Sequence, residues 1–332
     1  MRGAVRGSGE DWPVRARRSS LAVPGSSERM LEKAQTLASD QFFIDLEDSV
    51  APAAKESARD NAVQSLNEGD WGLRIRVVRV NGCATRWILR DVERVVSGAG
   101  ANLDAIMVPK VQRPGQVEFV DLLLTQLELE NDLEVGRIGL ELQIEDADGL
   151  VNIGPILAAS RRTEAVVLGP GDMAASLGMP TLTVGGRIDG HAGDAWHWIR
   201  SSILIHARAA GVQAIDGPYG NIRDLDGFRA SALAARALGL DGKWVLHPDQ
   251  IGPANEIFSV SEATFRRASD ILAAYEHATE TTGTGAVMFG DEMIDEASRR
   301  MAEANLARGR AQGLVILPSS DDSSATPSER PR

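Results

Sequence analysis

Short apolar runs alternate along the chain with segments whose apolar residues recur at helical spacing. In one such segment Ile88, Val92, Val95 and Val96 fall on one face of an amphipathic helix. The apolar runs are rich in β-branched residues and bounded by turn residues, which is typical of buried strands. Eight strands are predicted in this way: Ser20–Val23, Phe42–Leu46, Arg74–Val80, Ala105–Val108, Leu140–Ile144, Ala165–Leu168, Val212–Ile215 and Trp244–Leu246.

The order of these elements predicts the fold class. Eight buried strands separated by helical segments favour an α/β protein with a (β/α)₈ TIM barrel. We expect the barrel to occupy residues 18–260. The active site of such a barrel lies at the carboxyl ends of its strands.

Charged residues occur repeatedly where a predicted strand ends. Taken one at a time, a strand-end acid, or a histidine such as His247, is as well explained by capping or by bonding to loop amides. Taken together, their shared position predicts a site at one end of the barrel. The residues in this position are Glu47, Asp48, Arg79, Lys110, Glu145, Asp172, Asp216 and His247.

Two of these acids suggest a metal site. Glu145 ends the run through Leu140, Leu142 and Ile144, and Asp172 follows the next strand after Gly169-Pro170-Gly171. Mg²⁺ typically takes one or two protein carboxylates and completes its octahedron with water and substrate oxygens. We therefore expect Glu145 and Asp172 to be the metal ligands, with Mn²⁺ as a substitute for Mg²⁺.

Composition narrows the possible partners. The chain has 332 residues, with 35 basic against 47 acidic side chains and a net charge of −12. This balance argues against nucleic acid or an anionic membrane as the main partner. Cys83 is the single cysteine, so no intrachain disulfide forms and a reducing cytoplasm is the expected compartment. Cys83 itself is interpreted as structural.

The two ends of the chain differ from its middle. Residues 1–17 are rich in Arg and Gly and are interpreted as a disordered leader, and residues 313–332 as a disordered tail. The sequence contains no apolar run of the roughly 18–20 residues that a membrane span requires. We accordingly expect a globular cytoplasmic protein.

Seven motifs carry a resemblance to a known family. In order, residues 18–310 resemble the citrate lyase β-subunit-like group of the HpcH/HpaI aldolase superfamily, and most closely the malyl-CoA/β-methylmalyl-CoA lyases. The motifs are LAVPGSSERMLEKA (Leu21–Ala34), IDLEDSVAPAAK (Ile44–Lys55), RVNG (Arg79–Gly82), MVPKV (Met107–Val111), GPGDMAASLG (Gly169–Gly178), AIDGPYGNIRD (Ala214–Asp224) and GKWVLHPDQI (Gly242–Ile251).

The resemblance implies roles for individual residues. Glu145 and Asp172 match the family's Mg²⁺ ligands, and Arg79 matches the arginine that contacts substrate oxygens. Glu47 and Asp48 match acids lining the metal site. Residues that match the family's CoA and substrate contacts are Arg18, Arg29, Lys33, Arg79, Lys110, Gly171 and Asp172.

The resemblance also implies a helical lid over residues 261–312. In the family this segment crosses to a neighbouring subunit, and Asp295 matches its catalytic acid/base. The residues alone would make Asp295 an ordinary acid in the first turn of a helix. A borrowed acid requires a homo-oligomer, and the family suggests a trimer or a hexamer.

The expected function is a Mg²⁺-dependent carbon–carbon lyase. It would cleave a 3-hydroxyacyl-CoA such as L-malyl-CoA or β-methylmalyl-CoA, reversibly, to glyoxylate and acetyl-CoA or propionyl-CoA. The alternatives are a malyl-CoA thioesterase, a malate synthase-like enzyme, or a non-catalytic CoA-ester-binding subunit of a larger lyase complex.

Overall fold

The computed structural model describes residues 14–188, 190–191 and 193–316, which form two compact units. The first unit contains residues 17–258, and the second contains residues 14–16 and 259–316. Most of the predicted leader and tail lies outside the described residues. Arg17, the last residue of the predicted leader, is instead fully buried in the first unit.

The first unit is a closed barrel of eight parallel strands, which confirms the predicted fold class. The strands are β1 Ser19–Pro24, β2 Gln41–Asp45, β3 Ile75–Arg79, β4 Ala105–Val108, β5 Gly139–Ile144, β6 Thr163–Leu168, β7 Gln213–Asp216 and β8 Gly242–Val245. Each strand pairs with its sequence neighbours, and β8 closes the ring by pairing with β1 through Ser20 and Trp244.

Helices follow the strands and surround the barrel. They are α1 Glu28–Ala34, α2 Lys55–Glu68, α3 Ile88–Ala99, α4 Pro114–Glu130, α5 Ala147–Val151, α6 Ile153–Ala158, α7 Pro170–Ser176, α8 His197–Ala210, α9 Leu225–Leu238 and α10 Ile251–Phe258. Short 3₁₀ helices span Pro52–Ala54, Gly100–Asn102 and Pro248–Gln250. In α3 the predicted apolar face is buried as expected.

The apolar core has two layers because successive strand residues point to opposite faces. One layer fills the space between strands and helices and includes Phe42, Ile44, Leu140 and Leu142. The other fills the barrel interior, where bulky side chains stack as in other barrels of this kind. The interior apolar residues are Phe43, Ile75, Val77, Ala105, Met107, Ala165, Val167, Ile215 and Trp244.

The second unit was predicted to be helical, but it also contains a β-hairpin. Helix α11 (Glu262–Thr282) is followed by a hairpin of β9 (Ala286–Phe289) and β10 (Glu292–Asp295), and then by α12 (Glu296–Ala311). Gly290 turns the hairpin at φ 62°, a backbone conformation that glycine adopts without steric cost. Phe265, Ala268, Ala302 and Leu306 form the core between the two helices.

No helix within the described ranges combines the length and the apolar character needed to cross a membrane.

Candidate active site

The interior face of β5 carries the residues around which the site forms. Leu140, Leu142 and Ile144 point outward into the helix layer. The alternate residues, Glu141 and Gln143, therefore point into the barrel, and Glu145 continues this row at the carboxyl end of the strand. All three are buried. A row of polar side chains inside a barrel requires partners, and different partners are found at its two ends.

Arg79, at the end of β3, is held rigidly in the barrel mouth. Its Nε and Nη2 donate to the two carboxylate oxygens of Asp45 at 2.8 and 2.7 Å, a bidentate pair. The guanidinium carbon lies 4.9 Å from the centroid of the Trp244 ring, within cation–π range. Burial works to raise the pKa of Asp45, but the hydrogen bonds and charge of Arg79 hold it below its usual value. Both members of the pair are therefore charged.

The remaining nitrogen of Arg79 points toward the other site residues. Nη1 lies 3.3 Å from Oε2 of Glu47 and 3.4 Å from Oε1 of Gln143. Gln143 in turn donates to Oε2 of Glu145 at 2.5 Å. Gln143 thus links the guanidinium to the carboxylate that we expect to bind metal.

Glu145 is buried and fixed at both oxygens. Its Oε1 accepts a hydrogen bond from the main-chain nitrogen of Lys110 at 2.6 Å, opposite the bond from Gln143. Burial, together with the nearby charges of Glu47 and Asp172, raises the pKa of Glu145 to about 8. A carboxyl group in this state gains strongly from a cation placed beside it.

The side chain of Lys110 gathers three further acids. Its Nζ lies 2.8 Å from Oε1 of Glu47, 3.3 Å from Oδ1 of Asp48 and 3.5 Å from Oδ2 of Asp172. Burial lowers the pKa of Lys110, but Glu47 and the other carboxylates outweigh this effect and raise it above its ordinary value. The predicted residues Glu47, Asp48, Arg79, Lys110, Glu145 and Asp172 therefore meet at one end of the barrel.

A glycine sets the approach of Asp172 to this cluster. Asp172 is the third residue of α7, which begins directly after Gly169. A Cβ atom added at Gly169 would lie 2.4 Å from Cβ of Glu145 and 2.5 Å from its Oε2. Only glycine allows the start of α7 to approach Glu145 this closely.

The cluster fits a small divalent cation. Its donors are carboxylate oxygens, the ligands that Mg²⁺ prefers. Oε2 of Glu47 is buried and accepts no hydrogen bond from the residues that the structure describes. The same residues contain no group of three or more His, Cys, Asp or Glu side chains arranged to enclose a metal. Two carboxylates with water and substrate oxygens remain sufficient for Mg²⁺.

Two strand-end residues from the sequence are not part of the cluster. Asp216 points outward from β7 and bonds to Arg200 on α8 at 2.8 Å and to the buried Nζ of Lys243. Burial works to raise the pKa of Asp216, but these two cations lower it. His247 is partly exposed, and its Nδ1 accepts from the main-chain nitrogen of Asp249 in the following 3₁₀ helix at 3.3 Å. Both side chains satisfy local structure.

The predicted CoA contacts are divided between the two ends of the barrel. Arg29 and Lys33 are exposed on α1, which follows the carboxyl end of β1. Arg18 precedes β1 at the opposite end, where its guanidinium binds Asp40 at 2.7 Å. This placement separates Arg18 from the other predicted CoA contacts, because the full length of β1 lies between them.

Asp295 is the N-cap of α12 in the second unit. Its Oδ1 accepts from the main-chain nitrogens of Ala297 at 2.9 Å and Ser298 at 3.1 Å. This is the ordinary capping role that its position in sequence allowed. Its Oδ2 has no hydrogen-bond partner among the described residues.

Several residues that support the site were missed from the sequence. Lys55, the last residue of the IDLEDSVAPAAK motif, donates from Nζ to the main-chain oxygens of Leu46 and Glu47 at 2.8 and 2.9 Å. Asn81 donates to Leu46 as well, at 3.0 Å. Together they fix the loop that carries Glu47. The signal in the sequence that could have pointed to Lys55 was its place as the one basic residue in a motif with three acids.

Cys83 is partly buried against the apolar core, and its Sγ lies 3.9 Å from the main-chain oxygen of Gln116. Burial raises the pKa of its thiol to about 11, so the thiolate is scarce at neutral pH. This agrees with the interpretation of Cys83 as a structural residue.

The chain is similar to enzymes of known activity over most of its length. It is 41% identical over 300 residues to the L-malyl-CoA/β-methylmalyl-CoA lyase of Rhodobacter capsulatus, covering 88% of this chain and 94% of that protein. It is 37% identical over 294 residues to the (3S)-malyl-CoA thioesterase of Cereibacter sphaeroides, covering 89% of this chain and 95% of that one.

Solved structures share the architecture. The CitE protein of Mycobacterium tuberculosis, in complex with magnesium, acetoacetate and coenzyme A, aligns with a TM-score of 0.65 and 27% identity, covering 88% of this chain and 97% of that chain. A citrate lyase from Burkholderia xenovorans aligns with a TM-score of 0.78 over 94% of this chain and 96% of its own. Its identity of 18% makes it evidence for the fold alone.

The family profile described as HpcH/HpaI aldolase/citrate lyase matches residues 18–248. This range includes all eight strands of the barrel and all of the acids of the cluster. Profile, relatives and site geometry agree, and the chain belongs to the HpcH/HpaI aldolase/citrate lyase family.

Proposed function

We propose that this protein is a Mg²⁺-dependent carbon–carbon lyase that cleaves a 3-hydroxyacyl-CoA such as L-malyl-CoA or β-methylmalyl-CoA. The products would be glyoxylate and acetyl-CoA or propionyl-CoA, and the reaction would be reversible. The observation that carries the proposal is the meeting of Glu145, Asp172 and Arg79 at the carboxyl end of the barrel. Similarity to malyl-CoA/β-methylmalyl-CoA lyases over most of the chain supports the enzyme class, a CoA-ester lyase.

Glu145 and Asp172 are the proposed metal ligands, and Glu47 and Asp48 the acids around them. Mg²⁺, or Mn²⁺ in its place, would supply a Lewis acid that orients the hydroxy acid unit and lowers the pKa of its hydroxyl group. Gln143 and the main-chain nitrogen of Lys110 hold both oxygens of Glu145 in place. A ligand fixed in this way keeps its geometry through the reaction.

Arg79 is the proposed electrostatic stabiliser. Its guanidinium is always charged, and the bidentate bond to Asp45 fixes its plane while Nη1 points toward the cluster. A base takes the proton of the substrate hydroxyl group as the Cα–Cβ bond breaks, and negative charge develops on the oxygen of the enolate that is left. A preorganised guanidinium stabilises that charge without having to reorganise.

Asp295 is the proposed acid/base at carbon. Cleavage leaves an enolate on the CoA product, and a carboxylic acid must protonate its carbon. Capping of α12 occupies Oδ1 of Asp295 and leaves Oδ2 for this task. By resemblance to the family we propose that a neighbouring subunit of a homo-oligomer, trimer or hexamer, supplies it.

Arg29 and Lys33 are the proposed contacts of the CoA phosphates. They lie one helical turn apart on the exposed face of α1, so their charges reinforce each other. Gly171 precedes Asp172 in α7 and is proposed as a substrate contact. We propose a cytoplasmic location.

The first test is the cleavage of malyl-CoA by the purified full-length chain, with MgCl₂ and with a chelator. Glyoxylate is trapped with phenylhydrazine while free thiol is followed in parallel with a disulfide reagent. Glyoxylate that forms without free thiol, and only with the metal, is the expected result. Glu118→Gln, an exposed acid on α4, serves as the matched control and should keep full activity.

The second candidate is a malyl-CoA thioesterase, because a relative with that activity is 37% identical to this chain. Free thiol appearing together with malate would favour it over the lyase. If neither glyoxylate nor free thiol forms, and the β-methyl substrate is also inert, both candidates are contradicted.

A further inference from the structure

Lys110 makes polar contacts with both proposed metal ligands. Its main-chain nitrogen donates to Glu145 at 2.6 Å, and its ammonium lies 3.5 Å from Oδ2 of Asp172. The same ammonium is 2.8 Å from Oε1 of Glu47. Its contacts therefore reach three loops at the carboxyl end of the barrel.

The charges around Lys110 do not balance. Asp45 and Arg79 form a buried bidentate pair and neutralise each other. Glu47, Asp48 and Asp172 remain, all three beside the ammonium of Lys110, and Nη1 of Arg79 also lies beside Glu47. One ammonium cannot offset this group, and a second positive charge is favourable here.

The two contacts of Lys110 are mechanically independent. Its backbone has φ 54°, in the left-handed region that a lysine rarely adopts. Its main-chain bond to Glu145 is made in this conformation. The side chain is 41% exposed and has a flexible four-carbon stem, so the ammonium can leave Asp172 without moving the main-chain nitrogen.

We propose that Lys110 is a built-in counter-ion of the metal site, which holds the carboxylates together in the metal-free enzyme and is displaced when a divalent cation binds. The main-chain nitrogen continues to orient Glu145 in both states. The ammonium thereby competes with the metal and weakens its binding. This inference rests on the proposed Mg²⁺ dependence.

The test is calorimetric titration of the metal-free, full-length protein with MgCl₂, together with thermal unfolding with and without MgCl₂. Lys110→Met removes the charge but keeps the apolar stem, and Lys110→Gln is a second neutral variant. Both should bind Mg²⁺ about tenfold more tightly than the original protein, equal to about 1.4 kcal/mol. Both should also unfold at a lower temperature without metal and gain more from MgCl₂.

Two controls define the charge effect. Lys110→Arg keeps the charge and should bind Mg²⁺ within about threefold of the original affinity. Arg94→Met removes an exposed cation that pairs with Asp60 on the surface, and it should leave Mg²⁺ affinity unchanged.

The outcomes separate this inference from the proposed function. If the original protein binds Mg²⁺ and neither neutral variant binds it more tightly, the counter-ion role is overturned while the lyase proposal stands. If the arginine variant gains as much affinity as the neutral ones, charge is not the cause and the role is likewise overturned. If the original protein binds no Mg²⁺, the proposed metal dependence itself fails.

Discussion

Strand β5 delivers a buried carboxylate to each end of the barrel interior, and the two ends treat it differently. At the amino end, Glu141 accepts hydrogen bonds from Nε of Arg17 at 3.0 Å and from Nε2 of Gln41 at 2.9 Å. Arg17 also binds Glu164 and Gln213, and it is fully buried. This cluster is closed, because buried donors meet its acids from several sides.

At the carboxyl end the arrangement is incomplete. Oε2 of Glu47 accepts no hydrogen bond from the described residues, and Asp172 and Lys110 are 48% and 41% exposed. Buried charge occurs at both ends, so burial does not distinguish a site from a structural ion pair. What distinguishes the carboxyl end as a site is that its acids lack enough positive charge and lie where a ligand can reach them.

The largest expected effect is on catalysis at the open end. Glu145→Ala should lower kcat/KM at least about 1000-fold, because it removes a proposed metal ligand. The free energy of unfolding should change little or rise, since a buried acid among like charges is lost. Steady-state kinetics and urea unfolding on one preparation measure both. Full metal-dependent activity in this variant would remove Glu145 from the site.

Removal of the cation at the closed end should act on stability instead. Arg17→Met leaves Glu141 and Glu164 buried without their shared partner, and it should lower the free energy of unfolding by about 3–5 kcal/mol. The kcat/KM of the folded fraction should stay within about threefold of the original. A large loss of kcat with unchanged urea unfolding would contradict the assignment of a purely structural role.

The pH dependence of stability should also distinguish the open end. The pKa of Glu145 is about 8 in the folded chain against an ordinary 4.5, so the metal-free folded state binds the extra proton between these values. The contribution of this proton to the free energy of unfolding is complete below pH 4.5 and is lost as pH rises through about 8. Metal-free protein should therefore lose on the order of a few kcal/mol across this window relative to Glu145→Gln. Urea unfolding at a series of pH values, with a chelator, measures the difference, and equal slopes in the two proteins would contradict it.

The smallest effect separates the exposed basic residues at the two ends. Arg29→Ala and Lys33→Ala should each raise the KM for the CoA ester about three- to tenfold through the loss of a phosphate contact. Arg18→Ala should leave that KM unchanged, because its guanidinium binds Asp40 at the amino end. Initial rates at varied malyl-CoA concentration suffice. A KM that rises only in the Arg18 variant would reverse the assignment.

The sequence predicted the barrel because each strand is a short run that is apolar, or alternates apolar with polar residues, between helical segments, and all eight were found. The sequence also predicted the cluster, because the carboxyl ends of all eight strands meet at one face of a barrel and the residues that follow them lie together there. Arg18 lies at the amino end of β1, where it pairs with Asp40, so one strand length separates it from the other predicted CoA contacts. In the sequence Arg18 stands just before the motif that contains α1, and this closeness does not reveal that the length of β1 separates the two in the fold.

Other features depend on contacts that only the folded chain makes. Gln143 and Asp45 were read as parts of apolar strands, although the alternation of Leu140, Leu142 and Ile144 with polar residues already marked an interior polar row. The hairpin that ends at Asp295 lies within the segment that was expected to be a helical lid. Its strands are four residues each and are stabilised by packing against α11, which local pattern does not record.

If Glu145 and Asp172 hold the proposed cation, the missing side chain at Gly169 has a consequence for ion selection. The separation of the acid that follows β5 from the acid on α7 is limited by a hydrogen atom, because any Cβ at this position would meet Glu145. Position 169 would therefore act as a spacer of minimum thickness between the two proposed ligands, which suits the short ligand distances of a cation with a small ionic radius. Alanine there would widen the gap and shift the preference from magnesium toward calcium.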